Sequence, residues 1–283
     1  MKKLFTFLTL CVSLHLFAQT NIQVKDEESH QPIEYASILL PKYKQRIVTD
    51  RNGKIELDQE KYTFPLEIEV EQFSYFSTKY IVSQPNQNHI IELKADSDVL
   101  EEIIIPPSNK KIKQRIFGRE SKGSGKILGS FKNFDNENKK DGIEFGLIIN
   151  TNDKFKKLTS INWHIKDFTF KKAVFAIELY ETYKGIPSKR INHKEIKMTI
   201  SDTKNDWYTL DVSDLDIYID GYKKIAVIIK TLDVVLNKEQ EGELILNVGL
   251  ATSNQIIARD SYYEDWLKLP FNYPFFIVVD SYE

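Results

Sequence analysis

Cysteine is almost missing from this 283-residue chain: there is one, Cys11, and it lies inside an N-terminal apolar run. Removal of that run leaves no thiol, which excludes disulfides, a thiolate nucleophile and Cys-ligated zinc, so stability must come from packed cores. Glycine and proline are also scarce, at 11 and 9 residues, which excludes collagen-like and Pro/Gly low-complexity chains. Alanine, the best helix former, occurs 8 times against 34 isoleucines. Isoleucine is stiff at its first torsion and suits a half-buried pleated surface, so this balance points to a mostly β protein. Neither charge sign dominates, with 39 basic and 41 acidic residues, and nucleic acid is not an expected partner. At 41% hydrophobic, 28% charged and 12% aromatic, the composition suits an ordered chain long enough for about two domains.

Long apolar runs are missing too. Leu4 to Phe17 extends for about 14 residues, short of the ~18 to 20 that span a bilayer as a helix. Lys2 and Lys3 precede it, and Ala18, Gln19 and Thr20 follow. This is the layout of a secretory signal peptide, so residues 1–19 are expected to be removed by cleavage near Ala18 or Gln19. The mature chain is then exported to the periplasm, the outer-membrane surface or the medium, with no transmembrane segment. Loss of Lys2 and Lys3 leaves 37 basic residues against 41 acidic, moving the net charge from -2 to about -4.

Catalytic motifs are absent as well. Gly123-Ser124-Gly125-Lys126-Ile127-Leu128-Gly129 lacks the glycine a phosphate loop needs at 120 and the hydroxyl it needs at 127, and reads as a flexible Gly/Ser joint. The histidines after the leader, His30, His89, His164 and His193, show no His-x-x-x-His pair. His193-Lys194-Glu195 resembles half of a deaminase signature whose cysteine half cannot exist here. No Gly-x-Ser-x-Gly elbow is present. Adjacent carboxylates such as Glu101-Glu102 and Glu264-Asp265 would point to opposite faces of a strand, which does not suit a glycosidase pair. The polar stretch Asp135 to Gly142 lacks the EF-hand pattern but could hold an irregular calcium site. No other cofactor is expected.

What is present is a succession of short strands. Ile22 to Lys25, Ile33 to Leu40, Ile47-Val48, Lys54 to Leu57, Leu66 to Phe73, Phe76 to Val82, His89 to Leu93 and Leu100 to Ile105 are strand-like, with a hairpin at Asp50-Arg51-Asn52-Gly53. Val24-Lys25-Asp26, Gln31-Pro32-Ile33-Glu34-Tyr35-Ala36-Ser37-Ile38, Val48-Thr49-Asp50-Arg51-Asn52-Gly53-Lys54-Ile55 and Leu100-Glu101-Glu102-Ile103-Ile104-Ile105 follow in order. Residues 20–105 thereby resemble the carboxypeptidase-regulatory-like domain, a transthyretin-like β-sandwich of exported bacterial proteins. The usual Gly-Tyr after the central strand appears here as Ser74-Tyr75. The resemblance implies a non-catalytic module, found beside peptidases and at the N-termini of outer-membrane receptors. Roughly 180 further residues are too few for a receptor's plug and 22-stranded barrel.

Pro106-Pro107 stops the last strand, and residues 106–124, with Lys110, Lys111, Lys113 and Arg115, read as a solvated linker. Residues 125–283 then carry eight longer strand candidates: Ile143 to Asn150, Leu158 to Ile165, Ala173 to Tyr180, Glu195 to Ile200, Trp207 to Val212, Lys224 to Thr231, Glu243 to Ala251 and Phe275 to Val279. Without a convincing helix, they suggest a jelly-roll-like sandwich. Lys157 to Ile165, Phe175 to Tyr180, Lys184-Gly185-Ile186-Pro187, Trp207 to Val212 and Gly221 to Lys230 resemble, more loosely, the C-terminal sandwich that often follows the regulatory-like domain in exported proteins.

The expected fold is therefore all-β, a transthyretin-like Greek-key sandwich followed by a jelly-roll-like one. The expected role is a non-enzymatic envelope or extracellular protein that binds a glycan or an envelope protein. A secreted hydrolase with an unrecognised site and a purely structural component that pairs through edge strands are the alternatives. Tyr262, Tyr263 and Trp266 form the aromatic cluster that could offer a ligand platform, against ordinary packing in a core or loop.

Overall fold

A computed structural model describes residues 20–96, 107, 109–130, 143–201, 206–237, 242–251 and 253–283. The expected leader, Leu100 to Ile105, Pro106 and the stretch Asp135 to Gly142 lie outside the described residues.

The chain is all-β. In its first module β1 (Thr20–Asp26), β2 (Ser37–Leu40), β3 (Gln45–Val48), β4 (Lys54–Leu57), β5 (Leu66–Glu71), β6 (Thr78–Val82) and β7 (Asn88–Leu93) form two sheets, ordered β4-β1-β7 and β3-β2-β5-β6. The sheets close a β-sandwich over Ile22, Val24, Ile38, Leu40, Ile68, Val70, Ile91 and Leu93. Alternation explains the register: in β5 Leu66, Ile68 and Val70 turn inward while Glu67 faces solvent. The Asp50 turn forms as expected, its carboxylate accepting from the amides of Asn52 and Lys54 at 2.8 and 2.7 Å, with Gly53 at φ +65. A Cβ on Gly53 would stand 2.5 Å from the Val24 carbonyl. Ser74, of the Ser74-Tyr75 pair, has a positive φ of 66.

The expected strand Ile33 to Leu40 is shorter. Tyr35 sits at φ 56, so the chain turns there and β2 starts only at Ser37. This turn sends Tyr35 away from the sandwich core that holds Ile33 and Ala36.

The second module contains β8 (Ile112–Arg119), β9 (Gly125–Ser130), β10 (Glu144–Asn150), β11 (Lys156–Ile165), β12 (Asp167–Phe168), β13 (Lys172–Tyr183), β14 (Ile186–Arg190), β15 (Lys197–Ser201), β16 (Asp206–Asp211), β17 (Tyr218–Ile219), β18 (Lys224–Val235), β19 (Glu243–Leu250), β20 (Ile256–Arg259), β21 (Leu267–Leu269), β22 (Phe271–Asn272) and β23 (Phe275–Tyr282). A seven-stranded sheet runs β14-β13-β18-β10-β20-β21, with β15 also on β13. Facing it are the sheet β16-β11-β23-β8, with β17 on β11, and the set β12-β19-β22, with β9 on β19. Between them lies a core that includes Trp163, Phe175, Ile177, Val227, Ile229, Phe275 and Ile277.

Two sequence expectations are corrected here. Residues 112–119, placed in the linker, form edge strand β8, paired with β23 from Arg119↔Phe275 to Ile112↔Tyr282. The Gly/Ser stretch expected as a flexible joint forms β9 on β19. Its small residues let backbones approach closely, since a Cβ on Gly123 would stand 2.2 Å from the Val248 carbonyl.

The first module sits on the outer face of the seven-stranded sheet. Tyr35 and Val48 pack on Val174, Ala176 and Leu232. Around this contact Lys197 Nζ lies 2.5 Å from Glu34, and the Arg190 guanidinium lies 4.0 Å from the centre of the Phe73 ring.

Candidate functional site

The two outer faces of the second module differ. On the face covered by the first module, Glu144 is fully buried and stands directly across the sheet from Lys230 on one side and Arg259 on the other. Arg46, from the first module, donates to its carboxylate at 2.7 Å, and Arg259 donates at 2.7 Å through Nε. Burial pushes the Glu144 carboxyl up, but the cations Lys230, Arg46 and Arg259 outweigh it and hold the pKa at about 2. Lys230 also pairs with Glu178 at 2.7 Å, and Tyr180 donates to Glu178. These two carboxylates raise the lysine despite its burial. The cluster keeps its charges paired and locked, which suits a joint between modules rather than proton transfer.

The aromatic cluster picked out in the sequence belongs to the edge of this joint. The Arg259 guanidinium lies 5.0 Å from the Tyr262 ring centre and 4.4 Å from that of Trp266, and Arg46 lies 6.0 Å from Tyr262. Trp266 packs against Ala226, Ile228 and Ile257 on the covered face. Tyr263 meets Tyr262 edge-on at 5.3 Å. The structure thus brings Tyr262 and Trp266 together around one arginine.

The outer face of the sheet β16-β11-β23-β8 points away from the first module. Because inner and outer residues alternate, Trp163, Phe275 and Ile277 enter the core, while Trp207, Thr209, Asn162, His164, Phe276, Val278 and Ile116 share the outer face. Trp207 lies 5.0 Å from Phe276 and 5.3 Å from His164, ring centre to ring centre. His164 is fully buried beside them, and neither of its ring nitrogens has a hydrogen-bond partner among the described residues. Burial, and then Lys122, lower its pKa. Beside this aromatic wall runs a polar strip in which Thr209 donates to Asn162 at 2.8 Å and Asn162 to Ser160 at 3.0 Å. Ile116, 46% exposed, and half-buried Val278 continue the face toward β8. Large apolar rings next to amide and hydroxyl groups on a flat support can stack on a sugar ring and bond to its hydroxyls. Sequence reading found Trp207 as a strand residue but not its partner. Phe276 comes from a strand about 70 residues away, and only the register of β23 on β11 joins them.

A third feature is an apolar cleft of about 370 Å³ at the open side of the sandwich, where β9 and β21 are edge strands of opposing sheets. Ile127, Leu244, Leu246, Ile256, Leu269 and Tyr273 are among the residues that line it. Asp260, Glu264 and Asp265 stand exposed beside it, so the Glu264-Asp265 pair noted in the sequence belongs to this rim, while Glu101-Glu102 lies outside the described residues. Tyr273 is fully buried, and its hydroxyl has no hydrogen-bond partner among the described residues. His30 pairs with Glu92 at 3.0 Å, and His89 lies 3.2 Å from the Tyr80 hydroxyl. Among the described residues, no group of three or more His, Cys, Asp or Glu side chains could hold a metal ion. No helix among them is long and apolar enough to cross a membrane.

No family model matches the chain, and no curated protein matches it. Among solved structures, it is similar to the cysteine protease and lectin-like domains of Cwp84, a surface layer associated protein of Clostridium difficile. The identity is 10%, with 82% of this chain and 52% of that chain covered, at a TM-score of 0.41. The same clostridial protease after propeptide cleavage gives 10% identity, coverage of 81% and 58%, and a TM-score of 0.39. A carbohydrate-binding module structure from the β-sandwich superfamily gives 12% identity, coverage of 88% and 96%, and a TM-score of 0.19. The chain spans between half and three fifths of the length of the two clostridial chains.

Proposed function

We propose that this is an exported, non-catalytic protein of the cell envelope or its exterior that binds a glycan on the outer face of the sheet β16-β11-β23-β8. The observation that carries this reading is the asymmetry of the second module: one outer face is occupied by the first module, and the other presents Trp207 and Phe276 beside the Thr209-Asn162-Ser160 strip. Export rests on the charged and apolar layout of residues 1–19. The first module serves as a fixed support, with the Arg46–Glu144 ion pair to the second module buried.

The test is a glycan array followed by affinity measurement on the best ligand, comparing the unaltered chain with Trp207→Ala and Tyr262→Ala. Trp207→Ala is expected to weaken binding at least tenfold, about 1.4 kcal/mol, and Tyr262→Ala to leave it within twofold. Absence of binding to any glycan by the folded protein, or a loss confined to Tyr262→Ala, would overturn the reading.

A further inference from the structure

A cleft between β9 and β21 lies apart from the sheet face that carries Trp207. Its volume, about 370 Å³, falls within the roughly 300–1,000 Å³ typical of small-molecule sites, and its wall is almost wholly aliphatic and aromatic. The wall is built from inward-facing positions of both sheets. On β19, Leu244 and Leu246 pair across with Gly129 and Ile127 of β9, and on β20, Ile256 and Ala258 pair with Leu269 and Leu267 of β21. Leu267 and Leu128 remain 63% and 56% exposed at its edge.

Gly129 gives an independent indication that the space is meant to be kept open. A glycine inside a strand weakens it, and usually a close backbone or a ligand accounts for its presence. Gly146, by contrast, is required by the protein itself, since its Cβ would stand 1.9 Å from the Val227 carbonyl. At Gly129 an added Cβ would meet nothing nearer than 3.8 Å among the described residues, and its φ is not in the left-handed region. Among the described residues neither crowding nor backbone conformation calls for glycine there, and its position is on the cleft wall.

The rim sets the sign of the ligand. Asp260, Glu264 and Asp265 are exposed beside the cleft. Arg259, the one cation lining it among the described residues, is held by Glu144 and by the carbonyl of Tyr262 at 2.8 Å. An apolar chain with an anionic head would therefore enter against three carboxylates, whereas a cationic head would be attracted by them.

We propose that the cleft binds the apolar chain of a cationic amphiphile, with the ammonium head at the Asp260-Glu264-Asp265 rim. The experiment is calorimetric titration of the full chain, below the critical micelle concentration, with dodecyltrimethylammonium, laurate and tetramethylammonium. The long-chain cation should bind saturably with one site, at least tenfold more tightly than laurate at low salt, and tetramethylammonium should not bind. Gly129→Phe, which fills the cleft, should abolish binding without lowering the melting temperature. The triple variant Asp260→Asn, Glu264→Gln, Asp265→Asn should reduce the preference for cation over laurate to within threefold. Equal or tighter binding of laurate by the unaltered chain, no saturable binding of the long-chain cation, or unchanged binding by folded Gly129→Phe would each overturn the proposal. Glycan binding is measured on the same samples and should be unaffected by Gly129→Phe.

Discussion

Replacing Glu144 by Gln tests whether the two modules are locked together by the buried charge cluster. The substitution keeps the shape of the side chain and removes the one carboxylate that Arg46, Arg259 and Lys230 share. Breaking a buried ion pair by removing one partner costs about 3–5 kcal/mol, because the remaining charge is left uncompensated. A second route gives a similar figure. The shift of the Glu144 carboxyl from 4.5 to about 2 corresponds to roughly 3 kcal/mol of preference for the ionised form in the folded state. Because the folded pKa is depressed, this stabilisation is fully present above pH 4.5 and is lost as the pH falls toward 2. Urea unfolding of both proteins should therefore show Glu144→Gln less stable by about 3 kcal/mol at pH 7, with the difference shrinking as the pH falls from 4.5 toward 2. Arg46 comes from the first module, so Arg46→Met should be strongly non-additive with Glu144→Gln in a double-mutant cycle. A pH 7 loss below about 0.5 kcal/mol, or a difference between the proteins that does not change with pH, would refute the reasoning.

Other perturbations probe separate parts of the fold. Lys197→Ala removes a partly exposed contact to Glu34 at the margin of the same joint, and urea unfolding should show a loss below about 1 kcal/mol. Lys156 is fully buried and donates to the carbonyls of Asn152 and Lys154, and burial lowers its pKa to about 8. The unfolded chain then binds more protons between pH 8 and 10.5, so Lys156 makes stability rise with pH across that window. Unfolding curves of Lys156→Met should lack this contribution. Gly146→Ala puts a methyl 1.9 Å from the Val227 carbonyl and must push β10 from β18. A loss of about 3 kcal/mol or more is expected by thermal melting, at the high end for overpacked cores.

Period-two patterning made much of the fold legible. Lys54 to Leu57 matches β4, and Leu66, Ile68 and Val70 already marked an inward face. Two of the strands that escaped notice carry a competing signal. In β8, Lys113 and Arg115 and the exposed Ile112 and Ile116 look like solvated linker because residues 112–116 of this edge strand are exposed on both faces and show no clean alternation. At the start of β9, Gly123 and Gly125, which permit close approach to Val248, look like flexibility. Among the candidate site residues, Tyr262 and Trp266 were visible because they are neighbours in sequence, and that adjacency on one loop is what lets both pack around Arg259. The wall made by Trp207 and Phe276 depends on long-range strand pairing, which no local pattern encodes.

One signal in the sequence had a consequence for architecture. Ala173 to Leu179 and Ile225 to Ile229 are nearly unbroken apolar runs rather than alternating ones. Such runs are characteristic of strands covered on both faces. In the structure Phe175, Ile177, Val227 and Ile229 fill the sandwich core, while Val174, Ala176 and Ile228 are buried on the opposite face. The first module and the loop carrying Trp266 cover that second face. A second module expressed alone would expose Val174, Ala176 and Leu232, together with Glu144 stripped of Arg46, and should aggregate or lose stability. The joint also places the first module on the side opposite Trp207, away from the proposed ligand face. Mutations on the surface of the first module should accordingly leave glycan affinity unchanged, whereas mutations in the joint should reduce it only by lowering the folded fraction. Affinity corrected for folded fraction separates those two effects.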